Sequence, residues 1–184
     1  MNTILPFDEI NLLEYSLPAY FQDGKIKSDL LDDLLDALED LFLLSYALGS
    51  QDANRQMNSE IRPSVEEVMD TIDAEVAGKT WRDRVMEYAE NGGTPADIAR
   101  IIETEAHRDS NEAALTTARK AGATSKTWAT MLDDRVRETH DYLEAMTVPI
   151  DEDFYTYDGD HAPAPGMFEL AENNVNCRCV LIFS

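Results

Sequence analysis

The chain has 184 residues, 43% of them hydrophobic, which suffices to bury a core as one compact domain with an appendage or as two small domains. Its 37 acidic and 15 basic residues give a formal charge of -22. Such a chain repels phosphate and anionic lipid headgroups, so direct duplex-DNA binding and membrane binding are not expected. A basic protein surface, or simple solubility, suits the charge better.

The first ten residues, MNTILPFDEI, have no basic region followed by an apolar run, so no secretion leader is expected. The longest apolar stretch, Leu41 to Leu48, is too short to span a bilayer. Cys177 and Cys179 stand one residue apart, and a bridge between them would close almost no loop. The reading is a soluble protein made in a reducing cytoplasm.

Residues 6–20, between Pro6 and Pro18, predict a short helix or helix-turn. From Ser28 to Gly49 a second helix is predicted, with Ser28 as its cap and Gly49 as its stop. Leu30, Leu31, Leu34, Leu35, Leu38, Leu41, Phe42 and Tyr46 recur along it at helical spacing. That stripe reads as core, with an oligomer or partner-helix interface as the alternative. Residues 50–62 are polar and aperiodic and read as a loop or a frayed continuation of that helix. Pro63 and Ser64 open a helix through Val76, and residues 80–90 form another that ends at Asn91-Gly92-Gly93. Thr94, Pro95 and Asp97 are a strong helix start, and Gly122 is its stop.

After Gly122 the texture changes. Lys126 to Leu132 reads as a strand, 133–143 as a helix, and 147–150 as an extended segment whose Pro149 suits a sheet edge. Residues 151–169 read as a long loop, functional or pinned by a partner. Residues 177–183 read as a buried terminal strand. The expected fold is therefore α+β, mostly α. An acidic helical region (1–93) would precede a small module (94–184) of antiparallel strands packed on helices.

The stretch TWATMLDDRVRETHDYLEAMTVPIDEDF, followed by PAPGMF and NVNCRC, resembles the Mu F-like phage head-morphogenesis domain. The matching residues are Trp128, Asp133, Arg135, Arg137, His140, Leu143, Val148, Pro149, Asp151, Phe154, Pro165, Gly166, Asn176, Cys177, Arg178 and Cys179. Upstream, Thr104-Glu105 and His107-Arg108 resemble a further element of the family, and the likeness covers about residues 95–184. Two positions depart from it. Glu103 stands where the family has Arg, and Ala145 where it often has Gly in a left-handed turn, a conformation that Ala disfavours. The resemblance implies a minor head component acting in procapsid assembly or DNA packaging. Its partner would be portal, scaffold or major capsid protein, in the procapsid or virion.

Three chemistries are open to the motif. On a continuous helix, Asp133, Arg137, His140 and Glu144 would share one face and lock the terminal strand, with Asp133 and Arg137 paired. His140, Cys177 and Cys179 would be zinc ligands, the fourth being His107, His161, Glu105 or water. A Cys–His pair would instead make a thiol-dependent enzyme or toxin-related domain, but no oxyanion turn lies near the cysteines. Mu F-like domains also occur fused to toxin or transferase domains, and this chain is expected to carry none after the Asn-Cys-Arg-Cys strand. No phosphate-cradling loop or His/Glu metal cluster marks the first 90 residues, so no catalytic residue is assigned. Charge alone leaves a stand-alone regulatory or DNA-mimic protein as the alternative.

Overall fold

The computed structural model describes residues 5–76 and 78–184. The first four residues, part of the stretch read for a leader, lie outside the described residues. The chain begins with α1 (Phe7–Ser16) and a 3-10 turn (Leu17–Tyr20). A two-residue hairpin follows, β1 (Phe21–Gln22) and β2 (Lys25–Ile26), turning on Asp23 and Gly24 at φ 52° and 75°. Four helices come next: α2 (Leu31–Met57), α3 (Val65–Ile72), α4 (Trp81–Asn91) and α5 (Pro95–Lys120). The rest comprises β3 (Ser125–Ala129), α6 (Glu138–Asp141), β4 (Thr147–Pro149), β5 (Phe154–Tyr155), β6 (His161–Ala162), α7 (Ala171–Asn174) and β7 (Val180–Phe183). The fold class is α+β and mostly α, as the sequence predicts.

Helix α5 starts where the sequence places it, because Asp97 accepts from the Thr94 backbone N–H and hydroxyl at 2.9 and 2.7 Å. Helices α3 and α4 start on the same device, with Ser64–Glu67 and Thr80–Asp83 capping boxes.

The second helix departs from expectation at both ends. Ser28 does not cap it; Leu30 stands at the cap position without a side-chain bond. It also runs straight through Gly49 to Met57, so that of the two readings of residues 50–62, loop or continuation, the continuation supplies its last two turns. Gly49 is not a stop because it is a contact. A Cβ built there would lie 1.9 Å from the Ser110 carbonyl oxygen on α5. The helix ends instead on Asn58 in the left-handed conformation, φ 49°. Asn54 ties the exit, its Oδ1 accepting from Ile61 N–H at 2.8 Å.

Two apolar clusters result. One gathers Leu34, Leu38, Phe42, Ile72, Trp81, Val85, Ile98 and Ile102. The other gathers Leu115, Trp128, Leu143, Phe154, Phe168, Leu181 and Phe183. Helices α2 and α5 contribute to both, through Ala53 and Ala114 in the second. The leucine stripe of α2 is core, while Asp32, Asp33, Asp36 and Asp40 face solvent.

The C-terminal sheet has the order β4-β3-β7 with antiparallel pairing throughout. Pro149 ends the edge strand β4, as expected. Gln56 covers the outer edge of β7, accepting from Phe183 N–H at 2.9 Å and donating to the Leu181 carbonyl at 3.3 Å.

Two further readings are corrected. Residues 133–143 are not one helix; only Glu138–Asp141 are helical, with Arg137 at the cap position. Leu132 turns the chain at φ 54°, and Asp133 Oδ1 accepts from Arg135 N–H at 3.1 Å, which sets a tight turn instead. The 151–169 loop contains the hairpin β5–β6 and is pinned from within. Asp160 accepts from the N–H groups of His161, Glu169 and Leu170 and from Asn173 Nδ2. Ala145 does adopt the left-handed conformation, φ 59°, despite its Cβ, because Trp128 and Leu143 fix the backbone on both sides.

Candidate functional site: a thiol–imidazole cluster under an arginine rim

The terminal Asn-Cys-Arg-Cys runs from a left-handed turn at Asn176, φ 57°, into β7. Along an extended backbone, residues two apart share a face. Cys177 and Cys179 therefore both turn inward, and Arg178 turns outward. The inward face meets His140. Its Nδ1 lies 3.5 Å from the Cys177 sulfur and 3.4 Å from the Cys179 sulfur. The imidazole packs edge-on against Trp128, centroids 5.3 Å apart, and stacks on Phe168 at 5.4 Å. His140, Cys177 and Cys179 are all buried, and among the described residues His140 Nε2 and Trp128 Nε1 have no hydrogen-bond partner.

Outward, Arg178 forks onto Asp133, donating to its two oxygens at 2.8 and 2.6 Å. That pair holds the Asp133 carboxyl down at about 2. Arg137 donates to the carbonyl oxygens of Glu172 and Val175, gripping α7 and the turn before Asn176. Glu144 accepts from Thr130 N–H at 2.6 Å. The expected Asp133–Arg137 pair and the single face of Asp133, Arg137, His140 and Glu144 are thus corrected: with the helix absent, each residue holds a different segment. Arg135 is exposed on the rim beside Arg137, Asn176 and Arg178.

From below, α5 holds the strand. His107 Nε2–H donates to the Cys179 carbonyl at 2.8 Å, and Asn111 Nδ2 approaches the same oxygen at 3.4 Å. Burial pushes His107 down to about 4, so its ring is neutral. Gly166 lies over this helix; a Cβ there would come within 3.1 Å of Arg108 Cα. Burial raises the Cys177 thiol, but hydrogen bonds from Cys179 and the Arg137 and Arg178 guanidiniums outweigh it and leave the thiol below its ordinary value. Its hydrogen bond with Cys177, and burial, push the Cys179 thiol up.

Among the described residues the cluster has three members, His140, Cys177 and Cys179. The other residues considered as ligands are engaged elsewhere. His107 bonds the Cys179 carbonyl, His161 bonds Asp153 at 2.9 Å, and Glu105 pairs with Arg84 and Arg108 at 2.6 and 3.1 Å. Sequence reasoning missed Asp160, Asn173, Asn174 and Asn111. Asn174 clasps Phe168 by accepting from its N–H at 2.9 Å and donating to its carbonyl at 2.6 Å. The nearest signal for Asp160, Asn173 and Asn174 is the density of Asn and Asp in and just after a Pro/Gly-rich segment, whereas Asn111 lies inside α5 with no such signal.

The family model described as "Phage Mu protein F like protein" matches residues 56–182, more than half of the chain. Two curated proteins are also similar. The NAD(+)--arginine ADP-ribosyltransferase EFV of Enterococcus faecalis is 30% identical over 149 residues, covering 62% of this chain and 30% of that protein. The minor head protein GP7 of Bacillus phage SPP1 is 34% identical over 83 residues, covering 44% of this chain and 27% of that protein. The chain thus spans under a third of the length of each. No solved structure matches. Among the described residues no helix is long and apolar enough to cross a membrane.

Proposed function

The chain belongs to the Phage Mu protein F like family, and from that premise we propose that it is a minor head protein of a bacteriophage that acts without enzymatic chemistry in procapsid assembly or DNA packaging. The observation that carries this reading is how the motif residues are used. Arg178 is spent on Asp133, Arg137 on two backbone carbonyls, and Trp128 on the core. These bonds close a small module, each tying one segment of the motif to another.

The acidic helical region 1–93 then serves as the partner-binding arm. Asp32, Asp33, Asp36 and Asp40 line the outer side of α2, and Leu12 and Tyr15 stand exposed on α1. Such a face suits a basic surface on portal, scaffold or major capsid protein, in the host cytoplasm during assembly and then in the procapsid or virion. Coexpression with each of these proteins from the same phage tests the arm. A complex that weakens with salt supports it; no complex with any of the three overturns it.

A second reading rests on the Enterococcus faecalis relative, whose name states an arginine ADP-ribosyltransferase. Incubating the chain with labelled NAD and an arginine-containing acceptor separates the two. We expect no transfer; NAD-dependent labelling above a heat-killed control would favour the enzyme.

A further inference from the structure

The three donor atoms of His140, Cys177 and Cys179 lie within 4.8 Å of one another, and all three residues are buried. Their separations are informative. Tetrahedral zinc, with Zn–S of about 2.3 Å and Zn–N of about 2.0–2.1 Å, sets a nitrogen and a sulfur ligand about 3.6 Å apart. Here Nδ1 of His140 stands 3.5 and 3.4 Å from the two sulfurs. Two thiols and an imidazole are also the donors that borderline-soft metals select over magnesium or calcium.

We propose that His140 Nδ1 and the thiolates of Cys177 and Cys179 bind one zinc ion, with water in the fourth position. Binding releases the two thiol protons, and the two thiolate charges then cancel the charge of the ion. The fourth position faces the rim of Arg135, Arg137, Asn176 and Arg178, where a small hollow adjoins the cluster. The Cys179 carbonyl is already held by His107, so the strand that carries both sulfurs is fixed before the metal arrives. The ion would staple the α6 turn to the terminal strand, two segments 37 and 39 residues apart. Its role is structural, and it does not depend on the assembly role proposed above.

The test uses the whole chain, purified without a metal-affinity column. Elemental analysis should find about one equivalent of zinc per chain, retained through gel filtration and lost in a Cys177→Ser, Cys179→Ser double variant. Thermal melting should shift down on chelation. If the double variant fails to fold, cobalt titrated into the chelated wild-type chain still decides. Tetrahedral d–d bands with thiolate charge-transfer absorption, abolished by zinc, support the site. Less than about a tenth of an equivalent of zinc, with only the weak spectrum of hydrated cobalt, overturns it and leaves a thiol–imidazole hydrogen-bond cluster.

Discussion

Arg178 and Asp133, 45 residues apart in the chain, form a two-pronged ion pair at 2.8 and 2.6 Å. It joins the turn after β3 to the segment that enters β7. A single ion pair at the surface contributes little. This one is placed where it also orients the backbone, so that Cys177 and Cys179 point inward on either side of Arg178.

The pair makes a titration prediction. Asp133 is held at about 2 against an ordinary value of 3.8, first by the Arg178 hydrogen bond. A carboxyl lowered on folding contributes stability above its unfolded value, and that contribution is lost as pH falls from about 4 toward 2. Carbon-detected NMR should place the Asp133 midpoint near 2. In Arg178→Met it should rise toward the ordinary value; an unchanged midpoint would show that Arg178 is not the cause.

Gly49→Ala should destabilise, although Ala is the better helix former by about 1 kcal/mol. The added methyl would meet the Ser110 carbonyl at 1.9 Å, and backbone cannot rotate out of the way. Overpacking of this kind costs about 1–3 kcal/mol or more, so the clash wins. Urea unfolding should show a lower midpoint; a higher one would mean α2 and α5 are not in close contact at this site.

Ala145→Gly should act in the opposite direction. Ala145 is exposed and sits at φ 59°. Releasing a left-handed Ala recovers about 1–2 kcal/mol, while the freer unfolded chain costs about 0.4–1 kcal/mol. A net gain of roughly 0.5–1 kcal/mol is expected in urea melts, and a loss would argue against the left-handed turn.

Arg108→Ala should be among the most damaging single changes. Arg108 is buried, pairs with Asp109 at 2.8 Å and Glu105 at 3.1 Å, and donates to the Thr71 carbonyl at 2.8 Å. Removing it leaves the buried Asp109 without its cation and Glu105 with Arg84 alone, and burial already pushes Asp109 well up. A loss of about 3–5 kcal/mol is expected. Retention of wild-type stability would mean that solvent reaches this part of α5.

Local chemistry made some of this legible. The capping residues at Thr94 and Asp97 and the leucine spacing of α2 are short-range signals, and the edge at Pro149 is a property of proline itself. What was illegible is tertiary. Gly49 is a stop by its own chemistry, and only the Ser110 backbone across the interface makes it an interior residue. The helical period of 133–143 lost to the turn at Leu132 and to the pull of Arg178 on Asp133. In the site, residue types pointed to His140, Cys177 and Cys179. Their support from His107 and Asn111 joins positions 72 and 68 residues apart, which no local pattern encodes.

The central claim is that this chain is a minor component of a phage head. Quantitative mass spectrometry of purified procapsids and virions, from the phage that encodes it, tests that most directly. The account predicts its peptides in procapsids at a low, fixed ratio to the major capsid protein. Absence from both particles, while the protein is abundant in the infected cell, would contradict it.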